Sequence, residues 1–503
     1  MAGENDILLR GGTLLIHDDG NHVVPTVGDL LVHGSIISKI GSNLQPGSYT
    51  RVIECKGKII SPGFIDTHRH MWQTQLRGSF SDHTLIEYMA RGNAVSPLFS
   101  LEDLFYGQLA GALEAIDAGT TTVVDHSHCN SSPDHPQAAI QATISAGLRS
   151  VYCCIPLRRL ISRQPLRLQD DSFSDESISI FRDLAKSGPF GDGRVHIGYA
   201  LDNLFAPAKV MKSFYADLRD PSKGRAKLIT SHSVGGPGFG GVPSAVQILN
   251  SLGLLGPDIL LSHANFPKEG DGALLKSTGA HISSTPNTEL QMGVFPVALL
   301  EDHVDNASLG VDCQTWGISD MPGQMRMLLQ AARGGRGAML AEKGTWSRHT
   351  GFDVEQVFNL ATVGGANAAG LHDEVGRLKE GFKADIVVFE STSPNMVAAA
   401  IENPVAAIAL HSNPSDIGMV LVDGIIRKEN KQLIDVITAA APIECKSIVK
   451  PGTRMGWGDI VFKLLESRES IKQKLVGLDF FEGEEGFIDM LYMDKNALLE
   501  QQS

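Results

Sequence analysis

The chain has 503 residues, 42% hydrophobic and 20% charged, which excludes a disordered polymer lacking the apolar surface to offset its ordering entropy. Its 43 basic and 57 acidic residues leave a net charge of -14, which disfavours nucleic acid and anionic membrane as partners. The 6 cysteines are irregularly spaced with no C-x-x-C pair, which excludes a disulfide scaffold.

Residues 6–60 read as short strands, DILLRGGTLLI, VGDLLVHGSIISKIG and RVIECKGKII, separated by Gly, Asp and Pro turns. The opening MAGENDILLRGG has no basic n-region, and no apolar run reaches the roughly 20 residues that span a bilayer, so a reduced, cytoplasmic protein without a membrane segment is the expectation. From about residue 60 to 365 short apolar runs alternate with helical patterns: IISPGFIDTHRH, GTTTVVDHSH, GLRSVYCCIP, RVHIGYALD, AKLITSHS, DILLSHAN, GAHISSTPN and NASLGVD. Strands alternating with helices imply a parallel sheet, and eight of them over some 300 residues fit a (β/α)8 TIM-like barrel. An open doubly wound sheet would want a G-x-G-x-x-G turn after its first strand, and none is there. The β-rich texture returns in VGRLKEGFKADIVVFE and IGMVLVDGIIRKEN. The expected α/β fold is therefore a barrel (61–370) with a small β-sandwich from both chain ends (1–60 and 371–432). Residues 433–503 read as a helical tail packed on its own barrel or on a neighbouring subunit of a homo-oligomer.

The chemistry gathers at strand ends. In Asp66-Thr67-His68-Arg69-His70, alternation along a strand turns His68 and His70 to one face, as two ligands of one metal require. His232 follows AKLIT, His263 follows DILLS and Asp312 follows ASLGV, the same topological position on later strands. Histidines and a carboxylate from separate strands can build a catalytic metal site with an open position. No lysine stands at the end of RVHIGYALD to bridge two metals, so a single-metal centre is expected.

These stretches resemble the amidohydrolase superfamily, in its chlorohydrolase/aminohydrolase branch of triazine hydrolases, guanine and 8-oxoguanine deaminases and S-adenosylhomocysteine deaminase. The resemblance is carried by PGFIDTHRHMWQTQLRG (62–78), AGTTTVVDHSH (118–128), the strand ends at His232 and His263, SSTPNTELQMG (283–293), SLGVD (308–312) and ATVGGANAAGLHDEVGRLKEGFKADIVVFE (361–390), and spans residues 6–430. It implies that His68, His70, His232 and Asp312 ligate one divalent metal per chain, zinc (Zn2+) with Fe2+ as an alternative. It implies that Asp312 also accepts the proton of the attacking water, and that His263 polarises the substrate. Trp72 and Gln73 resemble substrate-contacting positions, as does His128; for His126 and His128 a packing role is equally open.

Two positions depart from the family pattern. Deaminases of the branch carry a glutamate three residues after the fifth-strand histidine, where this chain has Gly235. Glu289 stands where the family usually has an asparagine facing the pocket; as a catalytic candidate it would supply the missing proton or bind a cationic substrate, and otherwise it is a partly exposed loop residue. Cys313 is expected to point away from the site, and His303 to be structural. The function read from these residues is hydrolysis of a C–N bond in a cyclic amide or N-heterocycle, or of a heteroaromatic C–X bond, in a small molecule. The alternatives are a deaminase using Glu289, a metal-dependent lyase or isomerase, and a non-catalytic scaffold, the last at odds with a complete ligand set.

Overall fold

The computed structural model describes residues 6–163, 166–169, 171–240, 242–443, 447–491 and 493–499; Cys445 lies outside them. Five strands open the chain: β1 (Ile7–His17), β2 (Val23–His33), β3 (Ile36–Gly41), β4 (Arg51–Glu54) and β5 (Lys58–Pro62). Next come β6 (Phe64–Arg69), β7 (Thr120–Ser127), β8 (Arg149–Cys154), a hairpin of β9 (Leu160–Arg163) and β10 (Leu166–Leu168), then β11 (Val195–Ala200), β12 (Ile229–Ser233), β13 (Ile259–His263), β14 (His281–Ser284) and β15 (Ala307–Leu309). The strands β16 (Ile386–Glu390), β17 (Ile417–Val422), β18 (Ile425–Glu429) and β19 (Gln432–Leu433) follow.

An eight-stranded sheet runs β15-β14-β13-β12-β11-β8-β7-β6, parallel throughout. Its two edges meet where the Asp312 amide donates to the His68 carbonyl at 2.7 Å and the His70 amide to the Asp312 carbonyl at 3.3 Å. The result is a (β/α)8 barrel, and the closing seam runs through three of the expected metal ligands. Barrel strands are buried on both faces, inside by one another and outside by helices, which is why TTTVVDHS and RSVYCC are buried at every position. The covering helices carry local start signals: Ser100 and Asp103 exchange side-chain and backbone hydrogen bonds at the head of Leu101–Asp117.

The chain ends build a second sheet, β19-β18-β17-β16-β5-β1-β2-β3, with β4 added to β1. It joins across the whole sequence, since β16 pairs antiparallel with β5 from Ile386↔Pro62 to Glu390↔Lys58. A bulge in β1 between Leu9 and Gly12 passes its partner from β4 to β5, and the sheet encloses its own core of Leu9, Leu14, Leu30, Ile60, Ile386 and Leu421. The run IISPGFIDTHRH is therefore not one strand: it splits at Gly63 into β5 of this sheet and β6 of the barrel. Any side chain at 63 would collide with Thr121, whose Oγ1 lies 2.1 Å from where a Cβ would sit.

Sheet and barrel are clamped by Arg149 at the start of β8. Its buried guanidinium donates to both oxygens of Asp385 at 2.8 and 3.0 Å and to Asp423 at 3.2 Å. The segment after β19 packs on its own barrel. On the helix Trp457–Leu475, the Ser467 hydroxyl donates to Asp103 at 2.6 Å and accepts from Gln75 at 3.0 Å, and Lys474 reaches Asp103 at 2.8 Å. No helix among the described residues is long and apolar enough to cross a membrane.

Candidate active site

The expected ligands converge at the C-terminal mouth of the barrel. One donor atom each from His68, His70, His232 and Asp312 lies within 4.8 Å of all the others. His68 and His70 aim Nε2 at the same carboxylate oxygen, Asp312 Oδ1, at 3.2 and 2.9 Å. Each ring is held from behind through Nδ1. His68 meets the Ser262 hydroxyl at 2.7 Å, His70 the carbonyl of His126 at 2.6 Å, and His232 the Asp202 carboxylate at 3.0 Å. Holding Nδ1–H this way fixes the tautomer that presents Nε2 as a lone-pair donor. The His68 Nε2 is buried without a hydrogen bond of its own, as a metal ligand seen without its ion would be.

Backbone strain aims two of these groups. His263 and Asp312 sit at φ 72° and 61°, a left-handed conformation that non-glycine residues rarely adopt outside functional sites. Burial by itself would raise the Asp312 carboxyl, but the imidazoles of His68 and His70 hold it well below the usual carboxylate range. Burial likewise depresses His68 well below the ordinary histidine value, favouring the neutral, ligand form. Asp66 lies beneath, accepting the amides of Val311 at 3.0 Å and His68 at 3.3 Å, so it joins β6 to the strand carrying Asp312.

His263 turns Nε2 toward Asp312 Oδ2 at 3.9 Å, while its Nδ1 faces Thr285 Oγ1 at 2.9 Å and Glu289 Oε1 at 3.6 Å. Burial works against protonation of His263, but the Glu289 and Asp312 carboxylates outweigh it and raise its pKa. Glu289 is not a partly exposed loop residue. It is fully buried in the first turn of the helix Pro286–Gln291, accepting the Ser284 hydroxyl at 2.8 Å and the Thr285 amide at 2.9 Å.

Trp72 is buried edge-on to Phe99 at 4.9 Å, and the buried Gln73 side-chain amide donates to the Tyr88 hydroxyl. Cys313 is buried with its thiol 3.2 Å from Gln73 Oε1, and burial first and the Asp312 charge second push its pKa up to about 12. His303 pairs with Asp302 at 2.6 Å, as a structural histidine would. A side chain at Gly235 would meet the carbonyl of Asn265 at 3.0 Å, so no carboxylate replaces the missing glutamate there.

Sequence reasoning missed Asp202. It follows β11, accepts both the amide and Nδ1 of His232, and lies 3.5 Å from His126 Nε2. RVHIGYALD ends in this aspartate, so the strand-end rule that found Asp312 applied equally here.

The family model of the Amidohydrolase family matches residues 59–201 and 234–426. A 5-methylthioadenosine/S-adenosylhomocysteine deaminase of Acetivibrio thermocellus is 25% identical over 80% of this chain and 88% of its own length. A 5'-deoxyadenosine deaminase of Methanobrevibacter smithii is 24% identical over 86% of this chain and 94% of its own. Among solved structures, a zinc-complexed atrazine chlorohydrolase from Arthrobacter aurescens superposes with a TM-score of 0.73 at 20% identity, covering 92% of this chain and 100% of that one. An adenosine deaminase from Xanthomonas campestris with bound zinc gives 0.74 at 16% identity, covering 94% and 100%. With both segments of the family matched and a His/Asp cluster at the barrel mouth, the chain belongs to the amidohydrolase family.

Proposed function

We propose that the protein is a hydrolase dependent on one catalytic zinc ion held by His68, His70, His232 and Asp312. Its reaction adds water to a carbon of a small cyclic amide or N-heterocycle and breaks a C–N bond, or a C–X bond to a good leaving group. The observation that carries this reading is the convergence of four donors whose imidazoles are each fixed from behind through Nδ1. An ion held there supplies Lewis acidity and brings the pKa of a water toward neutrality.

The chain's own groups do the rest. Asp312, held ionised, accepts the proton that the attacking water loses as its oxygen bonds to carbon. His263, with Nε2 inward, donates to the substrate atom on which negative charge develops. Glu289 and Thr285 orient His263 and stabilise its charged form, so Glu289 is a positioning residue. The proton on Asp312 then passes to the leaving atom as the bond breaks. Near-complete burial of these groups excludes bulk water and strengthens each interaction.

A second reading is deamination of an N-heterocyclic amine, favoured by the names of the curated relatives. It needs a proton on the ring nitrogen beside the attacked carbon, and Gly235 offers none. Zinc-loaded protein tested against lactams, chlorotriazines, adenosine, 5-methylthioadenosine, S-adenosylhomocysteine and guanine separates the two. The first reading expects ring opening or halide release with ammonia at background; robust ammonia from a nucleoside or nucleobase replaces it with the second.

A further inference from the structure

We infer that His126, His128, Asp202 and the Nδ1 side of His232 form a second divalent-cation site beside the catalytic one. One donor atom from each lies within 4.8 Å of the others, the same closeness that marks the catalytic set. They come from the ends of β7, β11 and β12. Neither His126 nor His128 is among the catalytic ligands.

Both imidazoles lack partners that their burial demands. His126 is 0% and His128 1% exposed. Both ring nitrogens of His126 and Nδ1 of His128 have no hydrogen bond. Buried polar atoms are rarely left idle, because each forfeits its hydration for nothing. The Asp202 carboxylate stands 3.5 Å from His126 Nε2, too far for a good hydrogen bond and suited to two ligands of one ion. Asn93 approaches His128 Nε2 at 3.3 Å, which leaves Nδ1 as its donor to the site. Three imidazoles and a carboxylate form a borderline donor set, matched to zinc and its transition-metal neighbours rather than to calcium or magnesium. Asp202 is 33% exposed at its side chain, so an ion can enter from solvent.

His232 ties the two sites together. Its Nδ1 now faces Asp202 at 3.0 Å, leaving Nε2 for the catalytic cluster. An ion held there would displace the Nδ1 proton to solvent, and His232 would then serve both donor sets. The absent bridging lysine therefore does not limit the chain to one ion. The inference rests on the proposed catalytic centre only through this shared ring.

The test is metal counting on the full chain. Metal-free protein is equilibrated with buffered zinc, and bound metal is measured by elemental analysis for wild type, His126→Asn, His128→Gln and His68→Asn. Wild type is expected to hold two zinc ions per chain and each variant one. A single wild-type ion, abolished by His68→Asn and untouched by His128→Gln, overturns the second site. A single ion with the opposite pattern keeps the second site and overturns the catalytic assignment. Where the variants fail to fold, cobalt(II) titration of wild type decides: two saturating steps in visible absorbance support the site, and one step refutes it.

Discussion

Gly310→Ala puts the barrel seam under direct strain. Gly310 lies between β15 and Asp312, outside the left-handed region, so its lack of a side chain matters only for space. A Cβ there would sit 2.8 Å from both the amide nitrogen and the carbonyl oxygen of His68, and 3.0 Å from its Cβ. These are backbone atoms of a barrel strand and cannot swing away. Relief to ordinary contact, about 3.4 Å or more, needs a displacement of roughly half an ångström between the strands of His68 and Asp312. Metal ligands tolerate about 0.2 Å. Zinc affinity is therefore expected to fall about 10- to 100-fold, or about 1.4–2.8 kcal/mol, with an overpacking cost of about 1–3 kcal/mol in the metal-free fold. Competition with a chromophoric chelator reads the first, and calorimetry of the metal-free protein the second. Gly337→Ala is the control: that glycine is exposed in the helix Met321–Glu342 with nothing near its Cβ position, and alanine there should stabilise by about 0.5–1 kcal/mol. A Gly310→Ala protein with wild-type zinc affinity and wild-type melting would refute the close seam.

Arg149→Met removes the clamp between sheet and barrel and leaves Asp385 and Asp423 buried without their shared cation, so denaturant unfolding should show a loss of about 3–5 kcal/mol. Glu289→Gln keeps the volume but removes the charge behind His263; kcat should fall about 100-fold with zinc content unchanged, and a fall in zinc content instead would make Glu289 a support of the metal centre. His17 is held down from an ordinary 6.5 to about 4, chiefly by burial, against the opposing hydrogen bond its Nε2 donates to Asn359 Oδ1, so the folded protein binds fewer protons there than the unfolded chain. Stability should therefore decline as pH drops from 6.5 to about 4 and level off below, by about 3 kcal/mol from this residue, and His17→Phe should flatten that slope in pH-dependent melting.

Much of the site was legible because strand ends in a barrel share one mouth. His68, His70, His232, His263 and Asp312 each close an apolar run, and the fold turns that one-dimensional coincidence into proximity. Asp202 obeys the same pattern, closing RVHIGYALD beside His232. Glu289 was harder. Its position in sequence says loop, while its burial depends on a helical turn that points the carboxylate back at Ser284 and Thr285. The break at Gly63 left no periodic signal, because strands of two different sheets abut there with a single residue between them.

That abutment also governs when the centre can assemble. The strand bearing His68 and His70 starts one residue beyond β5, and β5 takes its register from β16, with Pro62 opposite Ile386 and the Gly63 amide bonded to the Asp385 carbonyl. During synthesis the histidines emerge early, but the strand that locks them in place is made only after the whole barrel. Pairings so distant in sequence form late and slowly. The histidine-bearing strand therefore emerges long before β16, and its register against the end sheet is set only after the barrel residues that hold the histidine rings have been made.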